Sequence, residues 1–368
     1  MSSPVDLALP YICDLQPYKP GMPIEALARQ FSLQPADIIK LASNENPYGM
    51  SPKAAEAVRL ALAGAHRYPD AYELRAALAK FYGLGQENVV LGNGSNDVLD
   101  LVARVFLAKD SESISSEHAF IVYRLVTQVT GAANVIIPAK DFGHDLAAMR
   151  AAITDKTKVV WIANPNNPTG TLIPNNEILD FLEPVPKEVV VVLDQAYYEY
   201  LNEDDHMDAS DWLAKYPNLV ITRTFSKAYG LAGLRIGYAL ASPEIADLLN
   251  RVRQPFNVSH VSLAAAVAAL ADQEFVHDSA ERNRQGLAQL IKGFDDLNLP
   301  YIPAHGNFVT IQVGNLPEVQ QQLLKQGVIV RPVGEYGLPE HLRISVGTKQ
   351  ENERFLDTLQ TIIKEGDL

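Results

Sequence analysis

Seven short β-rich runs alternating with helical segments predict an α/β chain. Its large domain holds a mostly parallel seven-stranded sheet between helices, beside a smaller α+β domain. Three observations carry that reading. The runs fall at about 88–91, 112–115, 134–137, 158–162, 188–193, 218–223 and 236–241; 368 residues suffice for one large and one small domain; and the pattern changes beyond about residue 255. In chain order, a proline-rich arm comes first. Ser51 and Pro52 then read as an N-cap and first helical residue, and Asp70 with Glu73 as a capping box opening a helix with Leu74, Leu78 and Phe81 on one face. The strands follow, with a helix expected at 98–107 after the first. The segment 251–256, RVRQPF, interrupts a helix and marks a boundary. An alanine-rich helical stretch at 262–273, further helix to 292, and short strands and helices complete the chain.

Composition narrows the function. Hydrophobic content of 47% is ordinary for a globular protein, and the net charge of −13 opposes general attraction to nucleic acid or an anionic membrane. No apolar run is long enough to span a bilayer and the amino terminus lacks a secretory pattern, so a cytoplasmic protein is expected. The single cysteine, Cys13, excludes an intrachain disulfide framework. Eight scattered histidines without metal-ligand spacing give a catalytic metal no support, and no nucleophile elbow or Walker loop is present.

The segment 222–238, TRTFSKAYGLAGLRIGY, is the most informative. Lys227 stands among the hydroxyls of Thr224 and Ser226 with Arg235 eight residues on, an arrangement suited to a covalently engaged aldehyde cofactor and its phosphate. Upstream, 164–170 (NPNNPTG) and 194–197 (DQAY) each follow an apolar run, where loops at strand ends bind ligands in α/β proteins. Asp194 there either caps a loop or pairs with a ring nitrogen. The segment 92–97, GNGSND, lies between strand and helix. It suits a phosphate at a helix start and matches a dinucleotide fingerprint poorly, since the third glycine is absent.

The segments 164–170, 194–197 and 222–238, in this order, resemble those of the pyridoxal-phosphate-dependent aminotransferases of the aspartate aminotransferase fold, most closely the histidinol-phosphate aminotransferase family. Segments 40–49 (KLASNENPYG), 66–70 (HRYPD), 327–332 (GVIVRP) and 341–348 (HLRISVGT) extend the likeness over nearly the whole chain. The resemblance implies a discontinuous small domain, 1–44 with 256–368, around a cofactor-binding domain at 45–255. It implies that Lys227 holds the aldehyde of pyridoxal 5′-phosphate and shuttles a proton, that Asp194 keeps the pyridine nitrogen protonated, and that Tyr197 and Asn167 donate to the phenolic oxygen. Ser95 and Asn96, with Thr224, Ser226 and Arg235, fall to the phosphate; Phe120, two residues after His118, falls to the ring face; Tyr68 falls to the neighbouring subunit's phosphate, making a homodimer the catalytic unit.

For the substrate, the resemblance aims Arg343 and Arg331 at an anion shared by glutamate and histidinol phosphate, with Tyr18 a further phosphate contact and Asn167 beside them. The implied reaction joins histidinol phosphate and 2-oxoglutarate to imidazole acetol phosphate and glutamate, in histidine biosynthesis. An aromatic amino-acid aminotransferase or a phosphothreonine decarboxylase shares nearly every cofactor motif. A regulator's sensor domain of this fold is opposed by the acidic charge and by the lack of a DNA-binding segment.

Overall fold

The computed structural model describes residues 4–18, 20–206 and 208–365. Its strands in chain order are β1 Ile39–Leu41, β2 Val89–Gly92, β3 Glu112–Ser116, β4 Ala133–Ile137, β5 Thr157–Ala163, β6 Val190–Asp194, β7 Leu219–Thr224, β8 Gly237–Ala241, β9 Tyr301–Ile302, β10 Phe308–Gln312, β11 Val328–Pro332 and β12 His341–Ser345. Strands β2 to β8 form one seven-stranded sheet in the order β2-β8-β7-β6-β5-β3-β4, parallel except that β8 runs antiparallel to both its neighbours. Each of the seven expected runs overlaps one of these strands, with bounds differing by at most two residues.

The sheet is covered on both faces, which explains why its central strands read as continuous apolar runs. Along β6, Val191 and Leu193 enter one core cluster while Val190 and Val192 enter the other, the alternation that pleated strands impose. Every residue of β6, β7 and β8 is buried. The carboxyl ends of β2, β3, β5, β6 and β7 lie at one edge, and the loops that follow them carry most of the motifs singled out above.

One helix expectation holds and one needs adjustment. Ser51 Oγ accepts from Ala54 N at 3.1 Å, as a cap should. The capping box expected of Asp70 and Glu73 does not form: the helix begins at Tyr72 after Ala71, Asp70 Oδ1 accepts from Tyr72 N at 3.0 Å in a turn before it, and the helix ends where Gly83 takes φ +64°. Its buried stripe follows Leu74, Leu78 and Tyr82 at intervals of four. Phe81 is left 46% exposed at the rim, edge-on to Tyr82.

A second sheet, in the order β1-β11-β12-β10-β9, carries the carboxy-terminal half, and β1 pairs parallel with β11. The amino-terminal arm thereby joins strands almost three hundred residues later. Leu290 and Phe294 from the helix Gln273–Asp296, and Phe355 and Leu359 from Lys349–Glu365, pack on its buried face. The alanine-rich helix His260–Leu270 packs on Pro52–Ala61, and Ala265, Ala266 and Ala269 belong to the large-sheet core, which continues through Val276 to Ala280. On this packing we propose that the small unit comprises the arm and the chain beyond the middle of Gln273–Asp296. A division at 255 would cut through one continuous core.

Candidate active site

The ends of β2, β5, β6 and β7 enclose a cavity of about 460 Å³ against the arm and the second sheet. Every site residue expected from the sequence lines it except Tyr68: Tyr18, Ser95, Asn96, Phe120, Asn167, Asp194, Tyr197, Thr224, Ser226, Lys227, Arg235, Arg331 and Arg343. Tyr68 stands elsewhere, 81% exposed, its ring stacked on Phe256 at 4.5 Å between centroids.

Lys227 follows β7 by three residues, and the loop that holds it is tied back by Leu231 N to Phe225 O at 2.9 Å. Its Nζ donates to Ser43 O at 3.1 Å and lies 5.7 Å from the Tyr197 ring centroid. Burial lowers the amine to about 7, and Arg343 and Arg235 add to that effect while Glu45 opposes it. Near neutral pH a substantial fraction is therefore the neutral, nucleophilic form.

Asp194 ends β6, 5% exposed. Its carboxylate accepts from Thr222 Oγ1 at 2.8 Å, from Tyr123 Oη at 2.7 Å and from the Ala196 amide. Burial raises its pKa, and these three donors work against that rise. Tyr197, three residues on, has its phenol pushed up to about 12 by burial, with Arg343 opposing. Its Oη accepts from Asn44 Nδ2 at 2.9 Å, which leaves its own hydrogen to donate into the cavity.

At the other end, Gly94 at φ +79° turns the chain from β2 into the helix Ser95–Phe106. A Cβ at Gly94 would lie 2.4 Å from Arg235 Nη2, so only glycine lets this helix start and that guanidinium meet. Arg235 itself takes φ +54°, and its Nη1 donates to Ala232 O at 3.0 Å and lies 3.5 Å from Ser226 Oγ. The Thr224 hydroxyl accepts from Ser226 N at 3.1 Å. Amides of a first helical turn, hydroxyls and a guanidinium converge here, a donor set for a phosphate.

Two arginines face the remaining wall. Arg343, on β12 and 6% exposed, donates from Nη1 to Asn167 Oδ1 at 2.6 Å and from Nη2 to Ala42 O at 2.7 Å; its Nε is buried with no partner among the described residues. Arg331, on β11, pairs with Glu335 and lies 5.5 Å from the Tyr18 ring centroid. Phe120 meets Tyr123 edge-on at 5.8 Å. His118 bonds through Nδ1 to Tyr336 O at 2.6 Å, joining the end of β3 to the small unit.

Sequence reasoning missed Asn44 and Tyr123. Asn44 takes φ +54°, bonds Ser345 Oγ through its amide at 2.8 Å, accepts back from that hydroxyl at 2.8 Å, and receives Asn307 Nδ2 on its carbonyl at 3.0 Å. An asparagine within 40–49 was a usable signal, since asparagine tolerates left-handed backbone. Nothing in the sequence marked Tyr123.

The donor set fits pyridoxal phosphate: phosphate donors at one end, an amine of lowered basicity midway, and a buried carboxylate at the other. The profile of aminotransferase class I and II matches residues 36–359. A histidinol-phosphate aminotransferase of Dechloromonas aromatica is 57% identical over 96% of this chain and 98% of its own, and one of Methylobacillus flagellatus is 55% identical over 98% of each. The crystal structure of histidinol-phosphate aminotransferase from Sinorhizobium meliloti in complex with pyridoxal-5′-phosphate superposes with a TM-score of 0.89 at 29% identity, covering 97% of both chains. The chain belongs to the class I and II aminotransferases and, within them, to the histidinol-phosphate aminotransferase family.

Proposed function

We propose that the chain transfers an amino group between L-histidinol phosphate and 2-oxoglutarate, giving imidazole acetol phosphate and L-glutamate, with pyridoxal 5′-phosphate as cofactor. The observation that carries the reading is Lys227, an amine lowered to about 7 in a cavity that also holds Asp194 and the buried, partly uncommitted guanidinium of Arg343. The 57% identical relative bears the same activity in its name.

The cofactor supplies an aldehyde that exchanges with amines and a ring that takes up the electron pair left when the substrate Cα loses its proton. Ser95, Asn96, Thr224, Ser226 and Arg235 would hold its phosphate, Asp194 its ring nitrogen, Tyr197 and Asn167 its phenolic oxygen, and Phe120 one ring face. Asp194 would keep a proton at the pyridine nitrogen. Lys227 would hold the aldehyde, and its amine, lowered to about 7, is placed to take the proton from the substrate Cα. Arg343 binds the α-carboxylate of glutamate and the phosphate of histidinol phosphate at one place, with Arg331 and Tyr18 beside it, and so fixes Cα for that transfer.

We further propose that the working unit is a homodimer in which Tyr68 reaches the partner's phosphate site, which accounts for an 81% exposed aromatic side chain outside its own cavity. A cytoplasmic location fits the substrates, and among the described residues no helix is long and apolar enough to cross a membrane. The test is turnover of the purified protein with histidinol phosphate, phenylalanine and phosphothreonine, each in the presence of 2-oxoglutarate. Higher kcat/KM with histidinol phosphate is expected; preference for phenylalanine would make the chain an aromatic aminotransferase, and phosphothreonine decarboxylation without amine transfer would reject transamination.

A further inference from the structure

We infer that Tyr123 is a positioning residue that sets the proton affinity of Asp194 and, through it, of the cofactor's ring nitrogen. The inference rests on the cofactor assignment above and is independent of which substrate is used.

Asp194 is buried at the end of β6, where desolvation favours its neutral form. A neutral carboxyl there cannot hold a pyridinium by charge. Three donors work against neutralisation. Thr222 sits on Oδ1, Tyr123 on Oδ2, and the Ala196 amide adds a third bond. Tyr123 differs from the other two in how it is held. It is the second residue of the helix Val122–Val129, is wholly buried, and its ring lies parallel to Trp161 of β5, 5.3 Å between centroids and 2° between planes. The Trp161 Nε1 has no partner among the described residues, so the indole acts through its face as a flat stop behind the phenol. Phe120 closes the ring from the side, edge-on.

Burial and the neighbouring carboxylate hold the Tyr123 phenol well above its ordinary range. It therefore stays a donor at every working pH, and Asp194 stays the acceptor. A phenol pinned between two aromatic rings, aimed at one oxygen at 2.7 Å, is a fixed counterweight to the burial of that carboxylate.

The test measures cofactor affinity of the apoprotein, with two probes: pyridoxal 5′-phosphate, and its 1-deaza analogue, in which carbon replaces the ring nitrogen. The native chain should prefer the former. Tyr123→Phe keeps the ring and its stacking but removes the donor, so the preference should shrink on the order of tenfold, through weaker binding of pyridoxal phosphate alone. Thr222→Val, which removes the donor on the other oxygen at nearly constant shape, should do the same. An equal loss for both probes would mean that Tyr123 only supports the cavity wall, and unchanged affinities would mean that it does not act on Asp194; either result overturns the inference. If the native chain showed no preference between the probes, the pairing of Asp194 with the ring nitrogen would itself fail, an outcome distinct from both.

Discussion

Replacing Arg343 by lysine keeps a positive charge on β12 and removes the planar fork. In the structure two of the guanidinium's nitrogens are committed, Nη1 to Asn167 Oδ1 and Nη2 to Ala42 O, while the buried Nε has no partner among the described residues. An arriving anion can be met by that Nε together with a remaining Nη hydrogen, as a bidentate pair. A lysine offers one nitrogen at one point and cannot satisfy Asn167, Ala42 and the anion together. Losing one charge-assisted hydrogen bond costs about 1.5–3 kcal/mol. That corresponds to a fall in kcat/KM of about 10- to 150-fold. If, as proposed, one guanidinium serves both anions in turn, the fall should be similar for the two half-reactions, measured separately in single-turnover experiments that follow the cofactor's absorbance with glutamate and with histidinol phosphate. Affinity for pyridoxal phosphate should change little, since the phosphate donors lie at the far end of the cavity. If Arg343→Lys impaired one substrate and spared the other, the shared-anion reading would be wrong, and Arg331 with Tyr18 would have to carry a separate phosphate site.

Four further outcomes are expected. In the apoprotein the Lys227 amine should titrate near 7, and Arg343→Gln should move the midpoint upward because a repelling cation is gone; an NMR titration of the isotopically methylated amine reads both, and a native midpoint near 10.5 would remove the basis for Lys227 as a base. The unfolded chain holds this proton to about 10.5 and the folded chain only to about 7, so apoprotein stability to urea should rise with pH across that window, and Lys227→Met should flatten the rise. Asp194→Asn should retain cofactor yet lose orders of magnitude in half-reaction rate, and near-normal rates would reduce Asp194 to a loop cap. Tyr68→Ala and Lys227→Ala, each impaired alone, should regain partial activity when mixed as heterodimers; none after verified subunit exchange would place Tyr68 outside the partner's site.

The sheet was legible because its physics is local: a strand buried on both faces must be apolar along its length, so the runs near 158–162, 188–193 and 218–223 announced β5, β6 and β7. Lys227, Asp194 and Asn167 were legible because each ends such a run or follows it within four residues. The strand order, the reversal of β8 and the pairing of β1 with β11 depend on contacts between distant segments, which no local pattern encodes. Tyr123 escaped for a related reason: its aromatic ring serves the helix's buried face equally well as plain core, and only the position of Asp194 across the sheet gives its hydroxyl a task. Phe81 misled because two helical periodicities fit the same residues, and Tyr82 filled the core position.

The bond between Asn44 and Ser345 joins residues 301 positions apart. At roughly 5–20 residues per second of synthesis, the arm leaves the ribosome roughly 15–60 s before its partner is made. The large sheet from β2 to β8 has all its strands by residue 241 and can form during that interval, whereas β1 keeps an unpaired edge until β11 emerges. Asn44, Arg343 and Ala42 come together only once residue 343 has been made, so the wall that Arg343 forms is completed after the strands of the large sheet. A nascent chain stalled before residue 343 would carry Lys227 and Asp194 without the guanidinium proposed to hold the substrate's anion.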